Sequence, residues 1–168
     1  LVGSEMCIRD SSISLNHSET TEFTQQPTNA YQALVDAQES GVIPFDITFA
    51  GFGNLAGLDG NYVEKSSLKV NYRLGDLGVQ LSGLRKGDFY QSSETRSDGT
   101  RYVIPSMTTY NASVYYWFNV GDNKARVKLA VQNLEDERAP LADRFYGFFA
   151  DAHQDYGRRF YLDVKVKF

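Results

Sequence analysis

From residue 66 to the end of the chain, hydrophobic and polar residues alternate with a period of two, which in an extended backbone puts neighbouring side chains on opposite faces. Leu68, Val70, Tyr72 and Leu74 alternate with Ser67, Lys69, Asn71 and Arg73. After Gly75-Asp76, Leu77, Val79 and Leu81 alternate with Gly78, Gln80 and Ser82, which predicts a hairpin with Leu74 and Leu77 paired on the apolar face. A second hairpin sets Tyr110, Ala112, Val114, Tyr116, Phe118 and Val120 opposite Thr109, Asn111, Ser113 and Asn119. Its turn is read as Gly121 to Lys124, with Val120 pairing Ala125, and the return strand alternates Ala125, Val127, Leu129 and Val131 with Arg126, Lys128, Ala130 and Gln132. A last strand from about Gly157 places Phe160, Leu162, Val164, Val166 and Phe168 opposite Tyr161, Asp163, Lys165 and Lys167.

Upstream the pattern is thinner. Ile13 with Leu15 suggests one strand, Ile43, Phe45, Ile47 and Phe49 another, and residues 29–39 a short helix within a loop. The connections are unequal in a regular way: short at Gly75-Asp76 and Gly121 to Lys124, long at about 88–106 and 135–156. Strands of about 9–11 residues, short turns at one end and long loops at the other are the pattern of an outer-membrane barrel. The expected fold is therefore all-β: an antiparallel transmembrane β-barrel fragment of about four to six strands, with one face towards lipid and the basic face towards a hydrated lumen. Tyr72, Tyr110, Tyr116 and Phe118 fall where interfacial aromatic girdles are found. Arg85 and Lys86 interrupt the apolar run and are placed at the extracellular rim. An open edge in hydrocarbon would leave amides unpaired, so a barrel of this kind needs more wall than these strands supply.

Composition narrows the alternatives. Tyr and Phe number 11 each among 168 residues, yet no stretch approaches the roughly 18 consecutive apolar residues of a membrane-spanning helix. The net charge of −4, with Lys and Arg dispersed, gives no attraction to nucleic acid. The single Cys7 forms no internal disulfide, and no Cys/His cluster builds a zinc site; no metal and no cofactor are expected. With only His17 and His153, and no GxSxG element, no catalytic residue is expected and the chain is read as not an enzyme. Residues 1–12 lack a basic leader and an apolar core, and the run from Ser4 to Ser11 resembles translated sequencing-adapter sequence. They are set apart as a non-native end of a chain expected to be truncated, which leaves 13–168 as barrel.

Three elements carry a more specific resemblance. The strand ending in Asn133-Leu134-Glu135-Asp136-Glu137 is similar to an Asn-Leu-x-Asp-x element of TonB-dependent receptors, with Glu135 where that family often has Phe. An aromatic and glycine-rich loop follows, Arg144-Phe145-Tyr146-Gly147-Phe148-Phe149, and then Gly157-Arg158-Arg159-Phe160-Tyr161 opening the last strand. Third, Phe160, Leu162, Val164, Val166 and the terminal Phe168 resemble the signal read by the barrel assembly machinery. The resemblance covers roughly residues 66–168. It implies the C-terminal part of a barrel of about 22 strands around a plug that this chain lacks. It also implies an outer-membrane location among lipid and lipopolysaccharide, coupling to the TonB complex through an N-terminal part outside this chain, and uptake of an extracellular ligand such as a ferric siderophore, cobalamin or an oligosaccharide. A passive porin-like channel or other outer-membrane barrel, and a soluble antiparallel β-domain, are the alternatives.

Ligand contacts are expected in the long loops, since a rigid wall with variable loops is a common arrangement for recognition. Tyr90, Arg101 and Tyr102 mark the first loop, and Arg138, Arg144, Phe145, Tyr146, Phe148 and Phe149 the second. Aromatic faces stack on a ligand and arginines bind its carboxylates or a catecholate-iron charge; the plainer reading is that the aromatics pack the loops together and the arginines pair with Asp136, Asp143 or lipopolysaccharide phosphates. Asp151, His153 and Asp155 have the spacing of a calcium site, against which stands ordinary solvated loop polarity.

Overall fold

The computed structural model describes residues 9–44 and 51–167. In chain order the elements are β1 (Arg9–Glu19), β2 (Thr24–Gln25), α1 (Asn29–Glu39), β3 (Gly53–Asn54), β4 (Glu64–Leu74), β5 (Leu77–Lys86), β6 (Phe89–Thr95), β7 (Arg101–Ile104), β8 (Met107–Val120), β9 (Asn123–Gln132) and β10 (Arg159–Lys167). The fold is mostly strand, and its main feature is a six-stranded sheet in the order β1-β4-β5-β8-β9-β10 with every pair antiparallel. Among the described residues the sheet is open, with β1 and β10 as its edges.

The alternation read from the sequence sets the register. Leu74 pairs Leu77, Val70 pairs Leu81, Val79 pairs Val114, and Leu129 lies between Val114 and Leu162. One continuous apolar face thus crosses β4 to β10, and Ile13 and Leu15 carry it onto β1 by pairing Val70 and Leu68. The second hairpin departs from expectation by one pair. Val120 pairs Asn123 and Phe118 pairs Ala125, so the turn is the two residues Gly121-Asp122. Because side chains repeat every two residues, this shift leaves the facial assignment of the strand unchanged. Gly75 (φ +58°) and Gly121 (φ +60°) open their turns in the left-handed region, the glycine-first pattern of a type II′ turn.

The long connections join the strands at the other end of the sheet, where Lys65 pairs Lys86, Lys86 pairs Met107, and Gln132 pairs Arg159. Part of the 88–106 connection is itself a hairpin, with Phe89 opposite Ile104 and an irregularity between Gln91 and Thr95. The helix occupies 29–39 as the sequence predicts; it buries no side chain and ends before Gly41 (φ +76°). Only Ile43 of the expected strand at Ile43, Phe45, Ile47 and Phe49 is described, in a bend; the other three positions lie outside the described residues. So does Phe168, whereas Phe160, Leu162, Val164 and Val166 all share the apolar face of β10. Pairing in β1 begins at Arg9, within the segment set apart as non-native.

The two faces differ sharply in chemistry. Among the described residues nothing covers the apolar face: Leu129 is 55% exposed and Leu162 68%. The opposite face carries Lys65, Lys69 and Arg73 on β4, Lys86 on β5, Lys124, Arg126 and Lys128 on β9, and Arg159, Lys165 and Lys167 on β10. Asp10 and Asp163 are the only carboxylates that the six strands place there, although the whole chain is net negative at −4. Two aromatics that the sequence reading left unplaced also lie on this face. Tyr115 lays its ring over Gly78, where an added Cβ would come within 2.0 Å of it. Trp117 is surrounded by the cationic ends of Lys124, Arg126 and Lys167 at 5.4–5.7 Å. Arg85 sits on the apolar face at its loop end, while Lys86 belongs to the basic face and does not break the alternation.

Candidate functional site

The buried core lies where the long connections meet, at one end of the sheet. Phe89, Ile104, Phe149 and Ala152 form it, with Tyr62, Tyr102 and Ala142 against them. Phe89 meets Phe149 edge-on at 5.1 Å between ring centres. The cluster draws on three connections, 55–63, 87–106 and 133–158, which form one cap.

Polar contacts fasten the cap at defined points. Gln91, fully buried, donates through Nε2 to the Asp143 carbonyl at 3.0 Å and accepts from the Asp143 N–H at 3.1 Å. Asp59 accepts from the Ser92 N–H at 2.9 Å and from the Ser92 hydroxyl, while its own N–H donates to the Tyr90 carbonyl. At the base of the last connection, Asn133 (φ +55°) accepts the Glu137 N–H at 2.9 Å and returns an Nδ2 bond to the Glu137 carbonyl at 2.8 Å. Its own N–H donates to Asn111 Oδ1 at 3.0 Å. Asp136 (φ +59°) accepts the Arg158 N–H, and its carboxylate lies 2.9 Å from where a side chain on Gly157 would begin. The residues that suggested the Asn-Leu-x-Asp-x and Gly-Arg-Arg elements thus make a clasp between the end of β9 and the start of β10. A left-handed backbone at an Asn and an Asp is tolerated because their short side chains bond locally.

The nine candidate ligand residues fall into separate groups. Arg138 pairs with Asp155 through two bonds, at 2.7 and 2.5 Å, and this pair together with the Ala139 N–H holds the Asp155 carboxyl down at about 2. Arg144 lies over the Phe149 ring at 4.4 Å and within 3.9 Å of Asp59. Phe149 is inside the core, out of reach of a surface ligand. Tyr90 and Arg101 lie together across the β6–β7 hairpin at 5.9 Å, and Arg96 covers Tyr102 at the same distance. Phe145 and Tyr146 project as an aromatic tip with the half-buried Phe148 beside them: Phe145 is 94% exposed and meets Tyr146 edge-on at 5.0 Å. Tyr102 packs against the cap core, so Tyr90 and Arg101 of the first loop and this tip are the parts of the candidate set left available to an external ligand.

Asp151, His153 and Asp155 do not converge, and no group of three metal-ligating side chains occurs among the described residues. His153 is buried and stacked on Phe89 at 5.8 Å, with both ring nitrogens lacking a hydrogen-bond partner. Burial, reinforced by the Lys86 charge, pushes its pKa below the ordinary 6.5, so the ring is neutral at pH 7. Glu94 shares a hydrogen bond with Asp143, and this contact between two carboxyls raises its pKa.

Beneath the cap, on the basic face, lies a pocket of about 230 Å³ that the sequence reading did not anticipate. Lys86, Asn111, Gln132 and Arg159 rise into its lining from the sheet, and Gln154 and Tyr156 come from the last connection. The signal in the sequence was the strand parity of Lys86 and Arg159, both of which fall in the polar set. A search of protein-family models, of curated proteins and of solved structures finds no match to this chain.

Proposed function

We propose that this chain is part of the wall of a transmembrane β-barrel in a bacterial outer membrane, and that the barrel is a TonB-dependent receptor importing a scarce nutrient. One observation carries the membrane reading: a continuous apolar sheet face is left uncovered by the described residues, while every long connection lies at one end of the strands and every short turn at the other. A soluble sheet buries such a face under a second layer. Lipid removes the need for one. Tyr72, Tyr116 and Phe118 near the short turns, and Tyr110 and Phe160 near the cap, lie at the two heights where interfacial aromatics are favoured. Closure takes at least about eight strands, so the edges at β1 and β10 call for further wall; in the receptor reading about 22 strands enclose a plug. The receptor assignment itself rests on the resemblance of the clasp, the aromatic loop and the last strand. The role is transport rather than catalysis, with the cap facing the outside of the cell.

The test is fractionation of the intact protein. It is expected in the outer membrane, resistant to alkaline extraction, and shifted on an unheated denaturing gel. A protein that dissolves without detergent overturns the reading. Uptake that stops when the inner-membrane proton gradient is collapsed supports the receptor, and uptake that continues identifies a passive channel instead.

A further inference from the structure

The pocket under the cap is lined by hydrogen-bond donors with spare capacity. Arg159 spends one N–H on Gln132 Oε1, at 2.9 Å, while its buried Nε has no partner and its guanidinium lies over the Tyr156 ring at 4.8 Å. Lys86 donates to the Ala152 carbonyl and its ammonium lies over the Tyr62 ring at 5.8 Å, leaving donor capacity with no hydrogen-bond partner among the described residues. Gln132 Oε1 also accepts from the Tyr161 hydroxyl at 3.1 Å, so the Gln132 acceptor is saturated while its amide hydrogens are unspent. Asn111 Oδ1 is taken by the Asn133 N–H. Among the described residues no carboxylate lines the pocket. The nearby Asp136 is already bonded to the Arg158 N–H. Two cations and several unused donors select a negatively charged guest, and the amide of Gln154 and the hydroxyls of Thr109 and Tyr156 can donate to it as well as accept. The surrounding face adds to this, since its strands present many cations and only Asp10 and Asp163 against them.

We propose that this pocket binds a small organic anion, gripping a carboxylate or phosphate group with Lys86 and Arg159. Its volume of about 230 Å³ is that of roughly eight waters, which suits a compact solute or the charged end of a larger one. The aromatic tip and the loop arginines take no part. The site needs only the basic face and the cap folded on it, so it stands independently of what meets the apolar face.

The experiment is calorimetric titration of the intact protein in detergent with succinate, inorganic phosphate and glucose. Saturable binding of succinate or phosphate, with none of glucose, is expected; the stronger of the two identifies the group preferred. Lys86→Gln and Arg159→Gln should each weaken binding at least tenfold, and Arg159→Lys should recover part of the loss. Gln154→Glu adds a negative charge to the roof at an exposed side chain with no hydrogen bond among the described residues and should also weaken binding tenfold, which covers the case in which Lys86→Gln loosens the cap. Lys69→Gln, on the same face but outside the pocket, removes only a distant, screened charge and should bind within about twofold of the parent. Failure of both anions to bind, glucose binding equally well, or a Lys69→Gln loss as large as the others would overturn the proposal. A protein that binds succinate yet dissolves without detergent sinks the membrane reading alone. One that integrates into membranes and ignores both anions sinks only the pocket.

Discussion

Placing an arginine at Leu129 tests what meets the apolar face and how deep that face runs. Leu129 is six residues beyond Asn123, the first residue of β9. At about 3.4 Å per residue and a tilt of about 40°, it stands roughly 15 Å above the short turns, near the middle of an apolar band about 25 Å tall. It pairs with Val114 and Leu162 on the apolar face and is 55% exposed. An arginine at the midplane of a barrel costs about 2–4 kcal/mol, or roughly thirty- to nine-hundredfold in the folded population. Near the interface the cost falls to about 0–1 kcal/mol. Val120, beside the turn and on the same face, therefore serves as the shallow control. Ala130, the next residue in the chain, points to the basic face and serves as the opposite-face control. The assay is denaturant titration of the intact protein in liposomes, read by the gel shift of the folded form. Leu129→Arg should be the most damaging of the three, with Val120→Arg and Ala130→Arg close to the parent. A buried protein interface would lack this dependence on depth, so equal damage at Val120 and Leu129, or greater damage at Ala130, refutes the lipid assignment.

The remaining predictions concern the cap. Asn133→Ala removes both bonds to Glu137 and puts alanine in a left-handed backbone; it should cost about 1–3 kcal/mol locally and speed amide exchange across 133–158. His153→Phe keeps the stack on Phe89 while deleting two unpartnered buried nitrogens, and should slow exchange in the same segment at pH 7. With His153 in place, the opened cap takes up a proton below the ordinary pKa of 6.5 before the closed cap does, so cap stability is full above that pH and declines below it; His153→Phe should remove this decline in exchange measured from pH 7.5 to 5. The Asp155 carboxyl is held at about 2 against an ordinary 3.8, so its contribution is present above pH 3.8 and is lost as pH falls towards 2. Limited proteolysis at residues 136–156 should show that acid step, and Arg138→Gln should shrink it, leaving the part held by the Ala139 N–H.

The sheet was legible in the sequence because a period of two survives wherever one face is apolar and the other is not. Leu74 opposite Leu77 follows from the pattern alone. The Val120 pair was misplaced because Asn123 and Lys124 carry no apolar signal, and a shift by two residues preserves every face. The β6–β7 hairpin was read as loop: its seven- and four-residue strands are short, and its pairing slips after Gln91. The cap core stayed hidden for another reason. Phe149, His153 and Gln91 are buried through contacts between segments far apart in the chain, and no local period reports such contacts. Composition marked Phe145 and Phe149 alike as aromatic loop residues; one is the most exposed large side chain of the tip and the other lies in the core. Among the arginines, the charge pattern did foreshadow the pairing of side chains with loop carboxylates, though with Asp155 and Asp59 rather than Asp136 or Asp143.

The fastenings of the cap leave the aromatic tip to itself. Gly147 N–H bonds back to the Arg144 carbonyl and Ala142 N–H to the Gly147 carbonyl, so the turn that carries Phe145, Tyr146 and Phe148 closes on its own backbone. Its outward side chains are consequently exchangeable parts: what the tip touches is free to diversify while the knot of Gln91, Asp59 and Asn133 beneath it, and the strands below that, keep their shape.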